Sequence, residues 1–201
     1  MTARRLVFLP GVGADPAFWR PLGERLPAAW ERSYLGWPGL GDQPADAAVN
    51  GYDDLIGLVL AALGDGPADL VAQSMGGALA MKIALEHPRK VRRLVLAVTS
   101  GGLDVESLGA SDWRPTYRAR FPAAAPWASA TRIDLGGRIG EIAQPALLLF
   151  GDADPIAPVA VGEALARLMP DARLHVVPGG DHDLARTHAA LLAPLVEQHL
   201  A

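Results

Sequence analysis

The stretch LVAQSMGGAL, residues 70–79, joins two patterns at one serine. Leu70, Val71 and Ala72 belong to a short apolar run of the kind that forms a buried strand. Beyond the glycines, Ala78, Leu79, Met81, Ile83, Ala84 and Leu85 follow helical spacing. Ser74 stands at the joint. A serine before a helix is ordinarily an N-cap. It also fits a sharp strand-to-helix turn, where the residues two before and two after must be small because the two backbones crowd; here they are Ala72 and Gly76. In such a turn the hydroxyl projects from the C-terminal edge of the sheet. The helix N-terminus beneath it favours negative charge, and the N–H of Met75 points to where an oxyanion would form.

Outward from this joint the chain alternates. Residues 4–10, 31–38, 68–74, 92–100, 145–152 and 172–179 read as strands. Residues 15–26, 52–63, 75–87, 159–169 and 183–200 read as helices. Near-continuous apolar strands alternating with helices predict an α/β fold, a mostly parallel sheet covered on both faces. Residues 101–143 break the rhythm and hold Trp113, Tyr117, Phe121 and Trp127, with Arg114, Arg118 and Arg120 among them. They read as a small cap inserted in a single domain spanning 1–201, with the aromatics as pocket walls; Trp19 is a further candidate for the core or pocket floor. The arginines read first as solvated cap residues.

The 201 residues suffice for one α/β domain. The net charge is −4, and the only basic cluster, Arg89, Lys90, Arg92 and Arg93, reads as a solvated helix end, so no nucleic-acid partner is expected. The absence of cysteine excludes disulfides and thiol chemistry. No metal-ligand spacing or dinucleotide fingerprint is present, so no cofactor is expected. The start, MTARRLVFLPG, reads as the first strand rather than a signal peptide, and no apolar stretch reaches the roughly 18 to 20 residues of a membrane span. These features predict a cytoplasmic protein acting on a small molecule.

A serine nucleophile needs a base. Of the five histidines, His87 ends a helix before Pro88, His175 lies within a strand, and His188 and His199 lie on the last helix, where exposure is the default. His182, in VVPGGDHDL, sits in a glycine-rich loop past a strand's C-terminal end, the edge where open parallel sheets build their sites. An orienting carboxylate is available in LLLFGDADPIAP, where Asp152 and Asp154 are both in topological reach. Asp183 reads as the N-cap of the last helix.

The order Ser, Asp, His, each on a loop after a predicted strand, resembles the α/β-hydrolase fold superfamily, nearly end to end. AQSMGG resembles its nucleophile elbow, GDADPIAP its acid loop, PGGDHDL its histidine loop and LPGVGADPAFW its oxyanion loop. The resemblance selects Asp154 as the acid, between Gly151 and Pro158, and leaves Asp152 as a turn residue. It implies a triad of Ser74, Asp154 and His182, with the N–H groups of Val12 and Met75 as oxyanion hole. It implies hydrolysis of a carboxylic ester or thioester through an acyl enzyme. A binding protein retaining the triad as a relic, and a lyase or acyl transferase using the same site, are the alternatives. Three departures stand out. Ala72 replaces the first glycine of the elbow, Pro10 replaces the histidine of the oxyanion loop, and WPGLGD lacks the usual Asp. The opening antiparallel hairpin of the family is absent, so about six strands are expected.

Overall fold

The computed structural model describes residues 4–201. Residues 1–3, the head of the span read as one domain, lie outside them. Six strands form one sheet: β1 Arg5–Leu9, β2 Glu31–Tyr34, β3 Ala68–Gln73, β4 Val91–Ala97, β5 Ala146–Gly151 and β6 Ala172–Val177. Their order is β2-β1-β3-β4-β5-β6, and every neighbouring pair is parallel. This is the expected α/β sheet. β3 and β5 are buried at every residue, which is why ADLVA and ALLLF lack a polar alternation. β2 lies at the edge and alternates, with Glu31 and Ser33 outward. It is shorter than the predicted 31–38. Leu35 still donates its N–H to Phe8 O (3.0 Å), after which the glycine- and proline-rich loop diverges.

Among the described residues eight α-helices accompany the strands: α1 Arg20–Gly23, α2 Tyr52–Leu63, α3 Met75–Glu86, α4 Arg114–Arg120, α5 Trp127–Ala130, α6 Val159–Leu168, α7 Leu184–Thr187 and α8 Ala189–Leu200. Two differ from expectation. The predicted helix 15–26 contracts to α1. Its first residues form a turn in which Asp15 Oδ1 accepts the Ala17 N–H (2.8 Å), and its prolines remove donors. The predicted helix 183–200 is two helices broken at His188, whose backbone (φ −110°, ψ 22°) leaves the helical basin. Asp183 stands at the N-cap of α7 without a side-chain cap; its own N–H is taken by Asp181 Oδ1 (3.0 Å). His199 is half-buried rather than exposed, and its Nε2–H donates to Leu94 O (2.9 Å).

From β1 the chain moves outward to β2, then crosses back to β3 and proceeds the other way. Right-handed crossovers therefore place α1 on one face of the sheet and α2, α3 and α6 on the other. Consistently, α8 packs on α1 and α2 on α3. The loops leaving β1 and β3 diverge to opposite faces. A crevice opens between them at the C-terminal edge, where such sheets bind ligands.

Candidate active site

Ser74 follows the last residue of β3 with φ 53° and ψ −120°, outside the basins that non-glycine residues normally occupy. The sequence permits this turn because its neighbours are small. Ala72 is fully buried. A methyl group on Gly76 would come within 2.5 Å of Pro10 O and 2.8 Å of Leu9 O. Thr99, just past β4, donates its hydroxyl to Ser74 O at 2.6 Å and clamps the turn from the other side.

His182 reaches Ser74 from the loop after β6, with Nε2 3.0 Å from Ser74 Oγ. Its Nδ1 lies 2.8 Å from Asp154 Oδ2, on the loop after β5. Asp154 is 4% exposed, and its Oδ1 accepts the N–H groups of Ile156 (2.8 Å) and Ala157 (3.2 Å). The carboxylate is thus fixed on both oxygens. It accepts from Nδ1–H, which leaves the lone pair of Nε2 facing the serine hydroxyl. Asp152 instead accepts the Gly179 N–H through Oδ1 (2.6 Å) and binds the acid loop to the histidine loop. Of the other histidines, His87 caps α3, His175 lies in β6, His188 pairs with Thr187 Oγ1 and His199 faces β4.

Val12 and Met75 flank Ser74 in the wall of a cleft of about 120 Å³. Neither backbone N–H has a hydrogen-bond acceptor among the described residues. The floor of the cleft is apolar, with Ala78, Val98 and Ile156. Val98 has φ 44°, strained for a β-branched residue, where the chain turns out of β4. The segment between β4 and β5 supplies the outer wall, including Leu103, Val105 and Trp113. Its charged members are Asp104, Glu106, Asp112, Arg114 and Arg132, of which Arg114 pairs with Asp112 (3.0 Å) and Arg132 with Asp104 (3.3 Å).

Of the aromatic wall candidates, Trp113 alone lines this cleft. Trp19 is buried in the core, with Nε1–H donating to Leu9 O (2.9 Å). Tyr117 is buried; its hydroxyl accepts the Gly41 N–H (3.1 Å), and burial holds its phenol above the usual range. Phe121 packs on Tyr117. Trp127 packs edge-to-face on Tyr52. None of these four lines the cleft: Trp19 and Tyr117 are buried in the protein, and the half-buried Phe121 and Trp127 pack on Tyr117 and Tyr52. Tyr52, unmarked in the sequence, does line the cleft. Its hydroxyl donates to Ala128 O (3.1 Å), and burial pushes its phenol above the usual range. Thr99, Val98 and Tyr52 carried no spacing signal, since each lies in an apolar or loop context that many folds share. Among the described residues no cluster of His, Asp and Glu could hold a metal ion, and no helix is long and apolar enough to cross a membrane.

Two family models match the chain, one described as alpha/beta hydrolase fold over residues 4–133 and one as TAP-like protein over residues 117–201. The chain is 29% identical to a pimeloyl-[acyl-carrier protein] methyl ester esterase of Neisseria meningitidis serogroup B (strain MC58), covering 96% of this chain and 91% of that protein. It is 30% identical to a 2-hydroxymuconate semialdehyde hydrolase of Pseudomonas sp. (strain CF600), covering 81% of this chain and 73% of that protein. A solved hydrolase from Pseudomonas aeruginosa PA01 superimposes with a TM-score of 0.81 at 22% identity, covering 99% of this chain and 90% of that one. With the sheet, the elbow and the first of these models in agreement, the chain belongs to the α/β hydrolase fold family.

Proposed function

We propose that the protein is a serine hydrolase of small carboxylic esters or thioesters, with Ser74, His182 and Asp154 as its catalytic triad. The observation that carries this reading is the continuous hydrogen-bonded line from Asp154 through His182 to Ser74, at 2.8 and 3.0 Å, ending on a serine in a strained elbow. Names of relatives that specify esterase and hydrolase activity support it. Ser74 Oγ attacks the acyl carbon while His182 Nε2 takes its proton. Asp154 holds the imidazole in the required tautomer and stabilises the imidazolium. The N–H groups of Val12 and Met75 receive the oxyanion. His182 returns the proton to the leaving alcohol or thiol, and water, activated by the same base, releases the acid.

The segment 101–143 acts as a reduced cap. Its residues form the outer wall of the cleft, and it is anchored to the body by Ala125 N–H to Gly39 O (2.8 Å) and Ser111 N–H to Pro155 O (2.7 Å). The alignment with the esterase spans 242 positions against 201 residues here, so the relative carries residues that this chain lacks. A short cap, an apolar floor and arginines already paired to aspartates favour a short, uncharged acyl group over a dicarboxylic one.

Turnover of a panel of p-nitrophenyl and thioesters, from acetyl to decanoyl, tests this reading in wild type and Ser74→Ala. Hydrolysis of the short members, falling by on the order of 10⁴ or more in kcat for Ser74→Ala, is expected. Equal turnover by the alanine variant contradicts it.

A further inference from the structure

Gln73, the residue before the nucleophile, is 5% exposed and is the one polar residue at the C-terminal end of β3, four residues past the ion-paired Asp69 at its start. Its Nε2–H donates to the backbone carbonyl of His182 at 3.2 Å, across 109 residues of sequence. The other end of its carboxamide lies against Gly11, so closely that a methyl group there would strike Gln73 Oε1. One side chain therefore touches three loops: the elbow that bears it, the loop that carries Val12, and the loop that carries His182.

Building on the serine-hydrolase reading, we propose that Gln73 is a positioning residue, which holds the imidazole of His182 at its working distance from Ser74 by fixing the histidine backbone. Asp154 sets the rotation of the ring through Nδ1, but it does not set where the loop places the Cα. The loop is soft. It runs Pro178-Gly179-Gly180-Asp181, and Gly179 has φ 69°. A tether from the residue covalently joined to Ser74 references the base directly to the nucleophile. A neutral amide suits this place because it can donate to the carbonyl without adding charge beside the base. A displacement of about 1 Å in such a pair can cost on the order of 100-fold in rate.

The test compares wild type with Gln73→Met, which keeps the length and loses the donor, and Gln73→Glu, which keeps the shape and adds a carboxylate. Each is measured on a p-nitrophenyl ester, with active sites counted by titration with a fluorophosphonate. Gln73→Met is expected to lose roughly 10- to 100-fold in kcat per titrated site with KM unchanged. Gln73→Glu is expected to lose kcat as well and to move the acid limb of the pH–rate profile upward, because the added carboxylate favours the imidazolium of His182. The Glu variant also keeps the comparison open if the Met variant does not fold. A purely structural role would lower the melting temperature or the number of titratable sites while leaving kcat per site and the acid limb in place, and that result overturns the assignment. A reactive wild type with equally reactive variants removes the Gln73 assignment alone. A wild type that reacts with neither ester nor fluorophosphonate removes the hydrolase reading and this one with it.

Discussion

Trp37 donates its indole N–H to the carbonyl oxygen of Pro10 at 2.9 Å, and both are buried. Pro10 stands where the family resemblance expects a histidine, and a proline brings neither a side-chain donor nor an N–H. The loop is supported instead from outside by two indoles, Trp19 on Leu9 O and Trp37 on Pro10 O. Trp37→Phe leaves that carbonyl buried and unpaired. We expect a loss of about 1 to 3 kcal/mol in urea unfolding, with a fall in kcat because Val12 lies two residues on. Unchanged stability and kcat would show that the loop does not depend on this bond.

Gly76 meets the same loop from below. Gly76→Ala places a methyl within contact of Pro10 O and Leu9 O, both backbone atoms that cannot swing away. The expected cost is about 1 to 3 kcal/mol, together with reduced kcat, because relief requires the loop to move from Ser74. Denaturant midpoints and steady-state rates measure both effects. A glycine-to-alanine gain in helix stability would appear instead if the crowding were absent.

Ala78, one turn into α3, forms part of the floor of the cleft. Ala78→Leu narrows the cleft there while leaving Ser74, His182 and Asp154 unsubstituted. Activity on butyryl and longer esters should fall by tenfold or more relative to acetyl, from the few kcal/mol that overpacking costs. An acyl-chain series on both proteins checks it, and a parallel decline across chain lengths would place the acyl group elsewhere.

His199 supplies a pH dependence separate from the site. Burial is the largest influence on it and lowers its pKa; Arg93 lowers it further, while the bond to Leu94 O and the charge of Asp69 oppose the shift. A base with a depressed folded pKa binds its proton more readily when unfolded. Stability is therefore retained above about pH 6.5 and is lost as pH falls from there toward the lower folded value. Urea unfolding at pH 7.5 and 5.5 should show a larger drop for wild type than for His199→Gln, which can still donate to Leu94 O. Equal drops would assign the acid sensitivity to other groups.

The central sheet was legible because β3, β5 and the later residues of β4, Leu94–Ala97, are buried on both faces and so are written as mostly apolar runs. The elbow was legible because crowding restricts positions 72 and 76 to small residues, and it is a local constraint. The acid and histidine loops could be placed at the C-terminal edge from strand direction alone, but choosing between Asp152 and Asp154 needed the family pattern. What stayed hidden is set by contacts between distant segments. The indole of Trp37, the hydroxyl of Thr99 and the carboxamide of Gln73 act across the fold, and nothing in their own neighbourhoods marks them. Segment 101–143 was recognisable as irregular, yet which of its aromatics face the cleft depends on how its short helices seat on the loop at Gly39 and Gly41. The break at His188 was invisible for the same reason, since the apolar spacing on both sides reads as one helix.

The activation of Ser74 is tested most directly by intact-mass analysis after exposure to a fluorophosphonate, on wild type and on Ser74→Ala. An activated serine yields one covalent adduct per wild-type chain, located by peptide mapping at Ser74, and none on the alanine variant. A folded wild-type protein that stays unlabelled, or one labelled equally in the variant, would contradict the assignment of Ser74 as the nucleophile.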